Sequence, residues 1–321
     1  MAEETSLPIS RHFHLERLAE GVYAALAIDG AGAMCNAGIV DLGDRVMVFD
    51  TFWTPEAGQD LRAAAEQLTG HDVAYVVNSH YNADHVNGNQ VFAAGTTIIA
   101  TGRTRELITE RGTDFQAWAK EHLAEQVREE EEKLASETDE DRRRYLALDI
   151  ETTRALLPAL PTLELRLPNL TFEHRLDFYG PARSVELLCL GGGHTESDAF
   201  LYLPQERVLF TGDLLFTQGH PSMWHDQPET WISILARMEE LEPIVVVPGH
   251  GPLGTREDLM LLRHYLAWMV ETTREVIKRG GSAEDVLKEP IPEPYASWKT
   301  PDLFEQTVRT FHQLLSRDAS A

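Results

Sequence analysis

Basic residues and cysteines are scarce in this sequence. The 321 residues include 28 Lys and Arg against 52 Asp and Glu, which gives a formal net charge of −24. Binding to nucleic acid or to an anionic membrane surface needs clustered basic side chains, so the composition disfavours both kinds of partner. The two cysteines, Cys35 and Cys189, are too few for a disulfide framework and are typical of a protein from a reducing compartment.

Long apolar runs are also missing. No run approaches the ~20 residues that a membrane-spanning helix needs, and the first ten residues contain neither the basic nor the apolar part of a secretion signal. With 43% hydrophobic and 25% charged residues, the composition is that of an ordinary folded protein. We therefore expect a cytoplasmic protein that acts on a small molecule, with no membrane or nucleic-acid partner.

Short apolar runs bounded by Gly, Asp or Asn recur along the chain and predict strands of a buried sheet. They lie at residues 21–26, 38–49, 73–77, 97–100, 185–190, 207–211 and 244–247. Helical patterns at residues 54–69 and 229–240 fall between them. Strands that alternate with helices indicate an α/β fold in one domain over residues 1–321.

Residues 103–160 depart from this pattern because they read as two charged amphipathic helices. A turn between them offers an N-cap at Thr138. We interpret the segment as an inserted helical hairpin that covers part of the core, or alternatively acts as a lid or as an arm for a homodimer. Residues 254–321 read as a helical C-terminal extension, with a proline-rich loop at 289–294 and a last helix over 301–316.

Four of the predicted strands are followed at once by side chains that bind metals. These side chains are His80, Asp84 and His85 in the run His-Tyr-Asn-Ala-Asp-His, then His194, Asp213 and His250. Polar groups beyond the ends of neighbouring strands collect in one crevice, and imidazole with carboxylate suits Zn, Fe(II) or Mn. The sequence therefore predicts one shared metal site, and neither cysteine is at a ligand position.

With these residues the sequence resembles the metallo-β-lactamase-fold superfamily of metallohydrolases. The signature of that family is HxHxDH, followed by a His, an Asp and a His. The resemblance covers about residues 18–279 and implies a four-layer αββα sandwich. It also implies two metal sites: His80 and His194 serve one, Asp84, His85 and His250 serve the other, and Asp213 bridges them. Asp50 matches a family aspartate that supports the ligand loop from behind.

Asn82 stands where the family normally has a second histidine. A neutral amide oxygen is a weaker ligand for Zn than imidazole, so Asn82 either completes the first site through its oxygen or holds a water there. We expect one tight Zn site and a second, weaker one, and Fe or Mn remains an alternative. The protein would then bind one metal at low concentration and two only at higher concentration.

The chemistry that such a site supports is hydrolysis, because a bound divalent metal lowers the pKa of its water to ~7 and polarises a carbonyl oxygen. Asp84 is the candidate that orients the attacking water and shuttles a proton. His220, in the loop after Asp213, either donates to a developing oxyanion or only caps its turn. Met223 and Trp224 in the same loop are candidates for an apolar wall of the pocket, whereas His225 has no predicted role.

The leading function is thus a metal-dependent hydrolase of a small ester, thioester or lactone. One alternative is an iron-dependent oxidoreductase or dioxygenase of the same fold, and β-lactam hydrolysis is a possible side activity. A non-catalytic binder with a degraded site is a third class, but it fits poorly because every ligand except the one replaced by Asn82 is in place.

Overall fold

The computed structural model of the chain describes residues 7–223 and 227–318. Its strands form two sheets, one of seven strands and one of five. The first sheet runs in the order β1 to β7: Phe13–Ala19, Val22–Ala27, Ala37–Asp41, Val46–Phe49, Val73–Val77, Thr97–Thr101 and Leu170–Phe172. The second runs from β12 back to β8, the five strands being Arg175–Tyr179 (β8), Ser184–Cys189 (β9), Ala199–Leu203 (β10), Val208–Phe216 (β11) and Val245–His250 (β12).

Nine α-helices lie in the described part of the chain. In order they are Pro55–Thr69 (α1), Ala83–Val86 (α2), Gly102–Leu107 (α3), Thr113–Ser136 (α4), Glu140–Leu156 (α5), Pro228–Glu239 (α6), Arg256–Lys278 (α7), Ala283–Val286 (α8) and Pro301–Asp318 (α9). Four short helical turns, at Asn87–Val91, Ile108–Gly112, Leu157–Thr162 and Tyr295–Ser297, extend or connect them. Within residues 7–223 and 227–318, no helix combines the length and the apolar character that crossing a bilayer requires.

Three apolar clusters define the layers. Between the two sheets the buried residues of both sheets form one cluster, in which the rings of Phe49 and Phe210 lie 6.0 Å apart. The other face of the first sheet packs on α1 through residues such as Leu61. The other face of the second sheet packs on α6, α7 and α9 through residues such as Trp231 and Phe311. The predicted four-layer αββα sandwich is confirmed.

The run predicted as one strand over residues 38–49 is two strands, so that prediction was wrong. β3 and β4 form a hairpin whose turn is closed by Leu42, with its N–H donating to the carbonyl of Arg45 at 2.9 Å. Gly43 at the turn has φ of +100°, a conformation that favours glycine. The Asp41 carboxylate accepts from the Gly43 N–H at 2.7 Å. The continuous apolar pattern on both sides concealed this turn.

The segment around residues 103–160 folds as helices, and α4 and α5 are joined by an Arg154–Glu131 ion pair. The N-cap of α5 is Asp139, whose side chain accepts from the N–H of Arg142 at 2.9 Å, so the prediction of Thr138 was wrong by one residue. Trp53 anchors the hairpin to the sandwich, because its indole N–H donates to the carbonyl of Thr152 at 3.0 Å. A role for this hairpin in a homodimer stays a prediction.

Candidate metal centre

The seven predicted ligands come from six parts of the fold that meet at one end of the two sheets. His80 follows β5, Asn82 immediately precedes α2, and Asp84 and His85 lie within α2. His194 is in the loop after β9, whereas Asp213 and His250 lie inside β11 and at the end of β12. β11 and β12 therefore include their ligands and do not end before them. The parallel pairing of these two strands continues, with register shifts, as far as Phe216 and His250.

The Asp213 carboxylate is at the centre of the cluster, and its two oxygens face different partners. Oδ2 lies 3.3 Å from Nε2 of His194 and 3.7 Å from Nε2 of His80. Oδ1 lies 3.2 Å from Nε2 of His85 and 3.3 Å from Nε2 of His250. One carboxylate therefore separates two sets of imidazoles.

Asp84 belongs to the second of these sets. Its Oδ2 lies 3.3 Å from Nε2 of His85 and 3.4 Å from Nε2 of His250. On the other side of Asp213, the side-chain nitrogen Nδ2 of Asn82 lies 3.2 Å from Nε2 of His194. These contacts group Asp84 with His85 and His250, and Asn82 with His194. The assignment of the two groups to two metal ions, which the family resemblance implies, stays a prediction.

Several buried atoms of the cluster have no hydrogen-bond partner among the described residues. They are Nε2 of His80, Nε2 of His85 and Oδ1 of Asp213. Leaving a buried polar atom unpaired costs about 1–3 kcal/mol, so three of them together call for an occupant. His80, His85 and Asp213 also offer ligand atoms within 4.8 Å of one another. The donor set and the orphaned atoms both fit a divalent metal.

Glycine is required beside the central carboxylate. A Cβ built on Gly249 would lie 1.9 Å from Oδ1 of Asp213, which is an impossible contact. Gly249 directly precedes His250 in β12. The close contact of β12 with Asp213 therefore also positions the backbone of His250. The glycine before this ligand is therefore required by packing.

Asp50 holds the first ligand loop from beneath. Its Oδ2 accepts from Nδ1 of His85 at 2.8 Å and from the Ser79 hydroxyl at 2.7 Å, and its Oδ1 accepts from the Ser79 N–H at 2.8 Å. Asp50 has a φ of +59°, a region that Asp and Asn tolerate better than most residues. A carboxylate that fixes the Nδ1–H tautomer leaves Nε2 of His85 free to bind a metal.

Other ligands are oriented by main-chain contacts. Nδ1 of His194 donates to the carbonyl of Ser222 at 2.9 Å, and Nδ1 of His250 donates to the carbonyl of Met34 at 3.2 Å. Asp198 closes the His194 loop by accepting from the N–H of Gly193 at 2.8 Å. Asp198 and Met34 were missed in the sequence; an Asp four residues after His194 was a readable signal, but Met34 had none.

Burial and nearby charges shift the pKa values of the cluster in opposite directions. Burial alone would raise the pKa of Asp84, but the rings of His85 and His250 hold it below the usual range for a carboxyl. Burial alone would lower the pKa of His250, but Asp213 and Asp84 raise it to about 10. Both shifts have the same cause, because Nε2 of His250 lies 3.4 Å from Asp84 and 3.3 Å from Asp213. A bound cation would interact with these carboxylates in place of a proton on the ring.

Cys35 lies in the same cluster, contrary to the expectation that neither cysteine is at a ligand position. It is fully buried, and its Sγ lies within 4.8 Å of ligand atoms of Asp84 and His85. The thiol donates to the backbone carbonyl of Asp84 at 3.0 Å. Burial raises the pKa of the Cys35 thiol to about 12. Cys35 is 49 residues from Asp84 in sequence, so no local spacing pointed to it.

His220 makes its contacts with the C-terminal helices. Its Nδ1 is hydrogen-bonded to the hydroxyl of Tyr265 at 2.8 Å, and its ring lies 5.1 Å from that of Phe304. Burial lowers the pKa of His220 to about 4, so the ring is neutral. These contacts give His220 a packing role, and its service as an oxyanion donor stays a prediction. Met223 is buried in the core cluster beside α6 and α7, while Trp224 and His225 lie outside the described residues.

An aromatic surface from the inserted hairpin borders the ligand loop. Phe115 of α4 lies 5.5 Å from the ring of Trp53 and 6.3 Å from that of Trp118. Ala83, between Asn82 and Asp84 in sequence, packs against the same cluster. Trp118 remains 42% exposed. Apolar surface is thus available to a molecule that approaches the metal ligands from the hairpin side.

Arg111 connects the hairpin to two of the ligand loops. Its guanidinium lies 4.8 Å over the ring of Tyr81, which follows His80 in the ligand loop. It also forms a 2.5 Å ion pair with Glu196, two residues after His194, and Arg103 is bound to the same carboxylate. The hairpin is therefore held in a fixed position relative to the metal ligands.

A family model confirms what this geometry suggests. The model described as the metallo-beta-lactamase superfamily matches residues 30–250, a stretch that contains all seven predicted ligands. Two solved structures share the fold: a metallo-beta-lactamase from Pontibacter korlensis has a TM-score of 0.56 and 18% identity over 80% of this chain and 99% of its own. The second, from Hirschia baltica, has a TM-score of 0.55 and 16% identity over 79% of this chain and 97% of its own.

Among curated proteins, the 2,4-dinitroanisole O-demethylase subunit alpha of Nocardioides sp. (strain JS1661) is 26% identical over 236 residues, which cover 73% of this chain and 54% of that protein. The beta-lactamase-like protein 2 homolog of Caenorhabditis elegans is 29% identical over 86 residues, or 27% of this chain and 28% of that protein. The matches span about half of the first relative and about a quarter of the second. Because the family model covers more than half of its residues, the chain belongs to the metallo-beta-lactamase superfamily.

Proposed function

We propose that this protein is a metal-dependent hydrolase that cleaves a small ester, thioester or lactone. The observation that carries the proposal is the central Asp213 carboxylate, whose two oxygens face two separate sets of ligands. His80, His194 and Asn82 would hold one ion, and Asp84, His85 and His250 the other. Zinc suits imidazole and carboxylate ligands and has no redox chemistry of its own, which fits hydrolysis.

A divalent metal held in this cluster would lower the pKa of a water molecule to ~7 and polarise a carbonyl oxygen. The chain's own contribution is to fix the positions of the reacting groups. Oδ2 of Asp84 lies within 3.4 Å of Nε2 of His85 and of His250, so its carboxylate would lie beside the metal and accept a hydrogen bond from the attacking water. Asp84 then takes up a proton and returns it to the leaving group.

The substrate class follows from what surrounds the ligands. On the hairpin side the surface is aromatic, made of Phe115 and Trp118 next to Ala83. Two basic groups of the inserted segment, Arg111 and Arg103, are paired with Glu196. A neutral carbonyl compound with an apolar or aromatic substituent therefore suits this entrance better than a highly charged one.

Metal analysis followed by an activity panel tests the proposal. Protein purified without added metal would be analysed for its metal content and then assayed with aromatic and alkyl esters, thioesters, lactones and a chromogenic β-lactam. We expect zinc and hydrolysis of at least one carbonyl substrate, with activity lost on chelation and regained with zinc. Asp41→Asn, a substitution far from the cluster in the β3–β4 hairpin, serves as the matched control for changes at Asp84. Zinc-loaded protein that cleaves no member of the panel would contradict the proposal.

A second candidate is an iron-dependent oxidoreductase that acts on an aromatic ether. It is favoured by the 26% identity, over 73% of the chain, to an O-demethylase subunit. The aromatic entrance would also suit an aryl ether. Iron in the purified protein and consumption of dioxygen with an aryl methyl ether would support this candidate. Incorporation of oxygen from labelled water into the product, without consumption of dioxygen, would support hydrolysis.

A further inference from the structure

Cys35 is a strong metal-binding group beside the cluster that the ligand signature leaves out. Its Sγ and ligand atoms of Asp84 and His85 all lie within 4.8 Å of one another, and all three residues are buried. In tetrahedral zinc sites the Zn–S distance is about 2.3 Å and the Zn–N distance about 2.1 Å, so S and N on one ion lie about 3.6 Å apart. Ligand atoms within 4.8 Å of one another therefore need to approach by at most about 1.2 Å to share a tetrahedral ion.

A second observation points to a ligand in the same place. Nε2 of His85 is buried and has no hydrogen-bond partner among the described residues, although Nδ1 of the same ring is fully engaged by Asp50. Oδ2 of Asp84 lies 3.3 Å from this Nε2 atom, and the Cys35 sulfur lies beside the same two residues. A cation there would satisfy Nε2 and neutralise the surrounding carboxylates together.

The chain on both sides of Cys35 is fixed to the other ligands. The carbonyl of Met34 accepts from Nδ1 of His250 at 3.2 Å, and the side-chain amide of Asn36 donates to the carbonyl of Pro248 at 3.0 Å. Met34 has a φ of +69°, a backbone conformation that residues other than glycine seldom adopt. Such a conformation persists only where the surrounding structure enforces it. These contacts therefore hold the Cys35 sulfur beside the cluster.

We propose that Cys35 is a ligand of the metal ion held by Asp84, His85 and His250. On metal binding the S–H bond breaks, its proton leaves to solvent, and a sulfur–metal bond forms; no electron is transferred. Thiolate is a soft, negatively charged donor with high affinity for zinc, so it strengthens this site relative to the one weakened by Asn82. The inference rests on the proposed function, because it assigns a further residue to the same metal centre.

Cobalt(II) tests this assignment, since cobalt gives a visible d–d spectrum in any protein site and a near-ultraviolet charge-transfer band only when sulfur is bound. Metal-free wild type, Cys189→Ser and Cys35→Ser would be titrated with cobalt(II). Cys189 is the matched control because it is also a buried thiol. It lies outside the cluster and donates a hydrogen bond to the carbonyl of Gly191. We expect the sulfur band in wild type and in Cys189→Ser, and its loss in Cys35→Ser.

Each outcome separates the inference from the proposed function. A d–d spectrum without the sulfur band in wild type would overturn the role of Cys35 and leave the metal centre standing. No cobalt spectrum at all would overturn the metal centre and the proposed function with it. If Cys35→Ser fails to fold, Cys189→Ser decides alone, because Cys35 is then the only cysteine of the chain and any sulfur band must come from it.

Discussion

Replacing Asp50 by Asn should weaken metal binding at the His85 site without unfolding the protein. The amide keeps the size of the carboxylate, and Asn tolerates the left-handed backbone that Asp50 adopts. What changes is the side chain's hydrogen bonding. The carboxylate of Asp50 accepts from the Ser79 N–H, the Ser79 hydroxyl and Nδ1 of His85, whereas an amide has only one accepting atom for those three donors.

The size of the effect follows from the tautomer of His85. When the amide oxygen keeps the Ser79 N–H, its amino group faces Nδ1 of His85 and disfavours a proton there. The proton then moves to Nε2, the unpartnered atom that would bind the metal. Loss of such a supporting partner typically lowers metal affinity 10- to 100-fold, which corresponds to about 1.4–2.8 kcal/mol.

Competition with a chromogenic chelator would measure zinc affinity for wild type, Asp50→Asn and the control Asp41→Asn. Thermal unfolding of the metal-free proteins would show whether Asp50→Asn is folded. We expect weaker binding at the tighter site for Asp50→Asn alone. Unchanged zinc affinity in a folded Asp50→Asn variant would refute the reasoning that Asp50 holds His85 ready for a metal.

Three other predictions concern catalysis, substrate binding and pH. Asp84→Ala should lower kcat by about 10²- to 10⁴-fold while Tm changes little, and an unchanged kcat would remove Asp84 from proton transfer. Trp118→Ala should raise KM for aromatic esters by roughly 2- to 10-fold, the worth of one aromatic contact, and leave kcat and the KM for alkyl esters unchanged; an equal rise for both ester types would exclude an aromatic entrance. Burial lowers the pKa of His220 to about 4 in the folded state, so the unfolded chain takes up a proton first as pH falls. The free energy of unfolding should therefore decrease between about pH 6.5 and pH 4, by at most about 3 kcal/mol. Denaturant unfolding should show a smaller decrease for His220→Gln; equal decreases would mean that His220 is not buried as a neutral ring.

The clustering of the candidate ligands could be predicted from the sequence because His80, Asp213 and His250 lie after or within apolar strands, and parallel strands bring such residues to one edge. Glycines next to His194, Asp213 and His250 added to that signal. Strand boundaries were less predictable, since the β3–β4 turn lies within a continuous apolar pattern and β11 and β12 continue through Asp213 and His250.

Contacts between distant parts of the chain could not be read from spacing. Cys35 reaches Asp84 across 49 residues, and Met34 reaches His250 across 216 residues. His220 was expected near the metals because its loop leaves Asp213. The structure gives it Tyr265 and Phe304 as neighbours, contacts that the sequence did not predict, because α7 and α9 cover that side of the second sheet.

The central claim is that Asp213 separates two metal sites of unequal strength, the weaker one being the site that contains Asn82. Calorimetric titration of zinc into metal-free wild type and Asn82→His tests it most directly, because an added imidazole should strengthen only the weaker site. We predict one tight and one weaker ion in wild type and two tight ions in Asn82→His. Two equally tight ions in wild type, or a second affinity that Asn82→His leaves unchanged, would contradict the account.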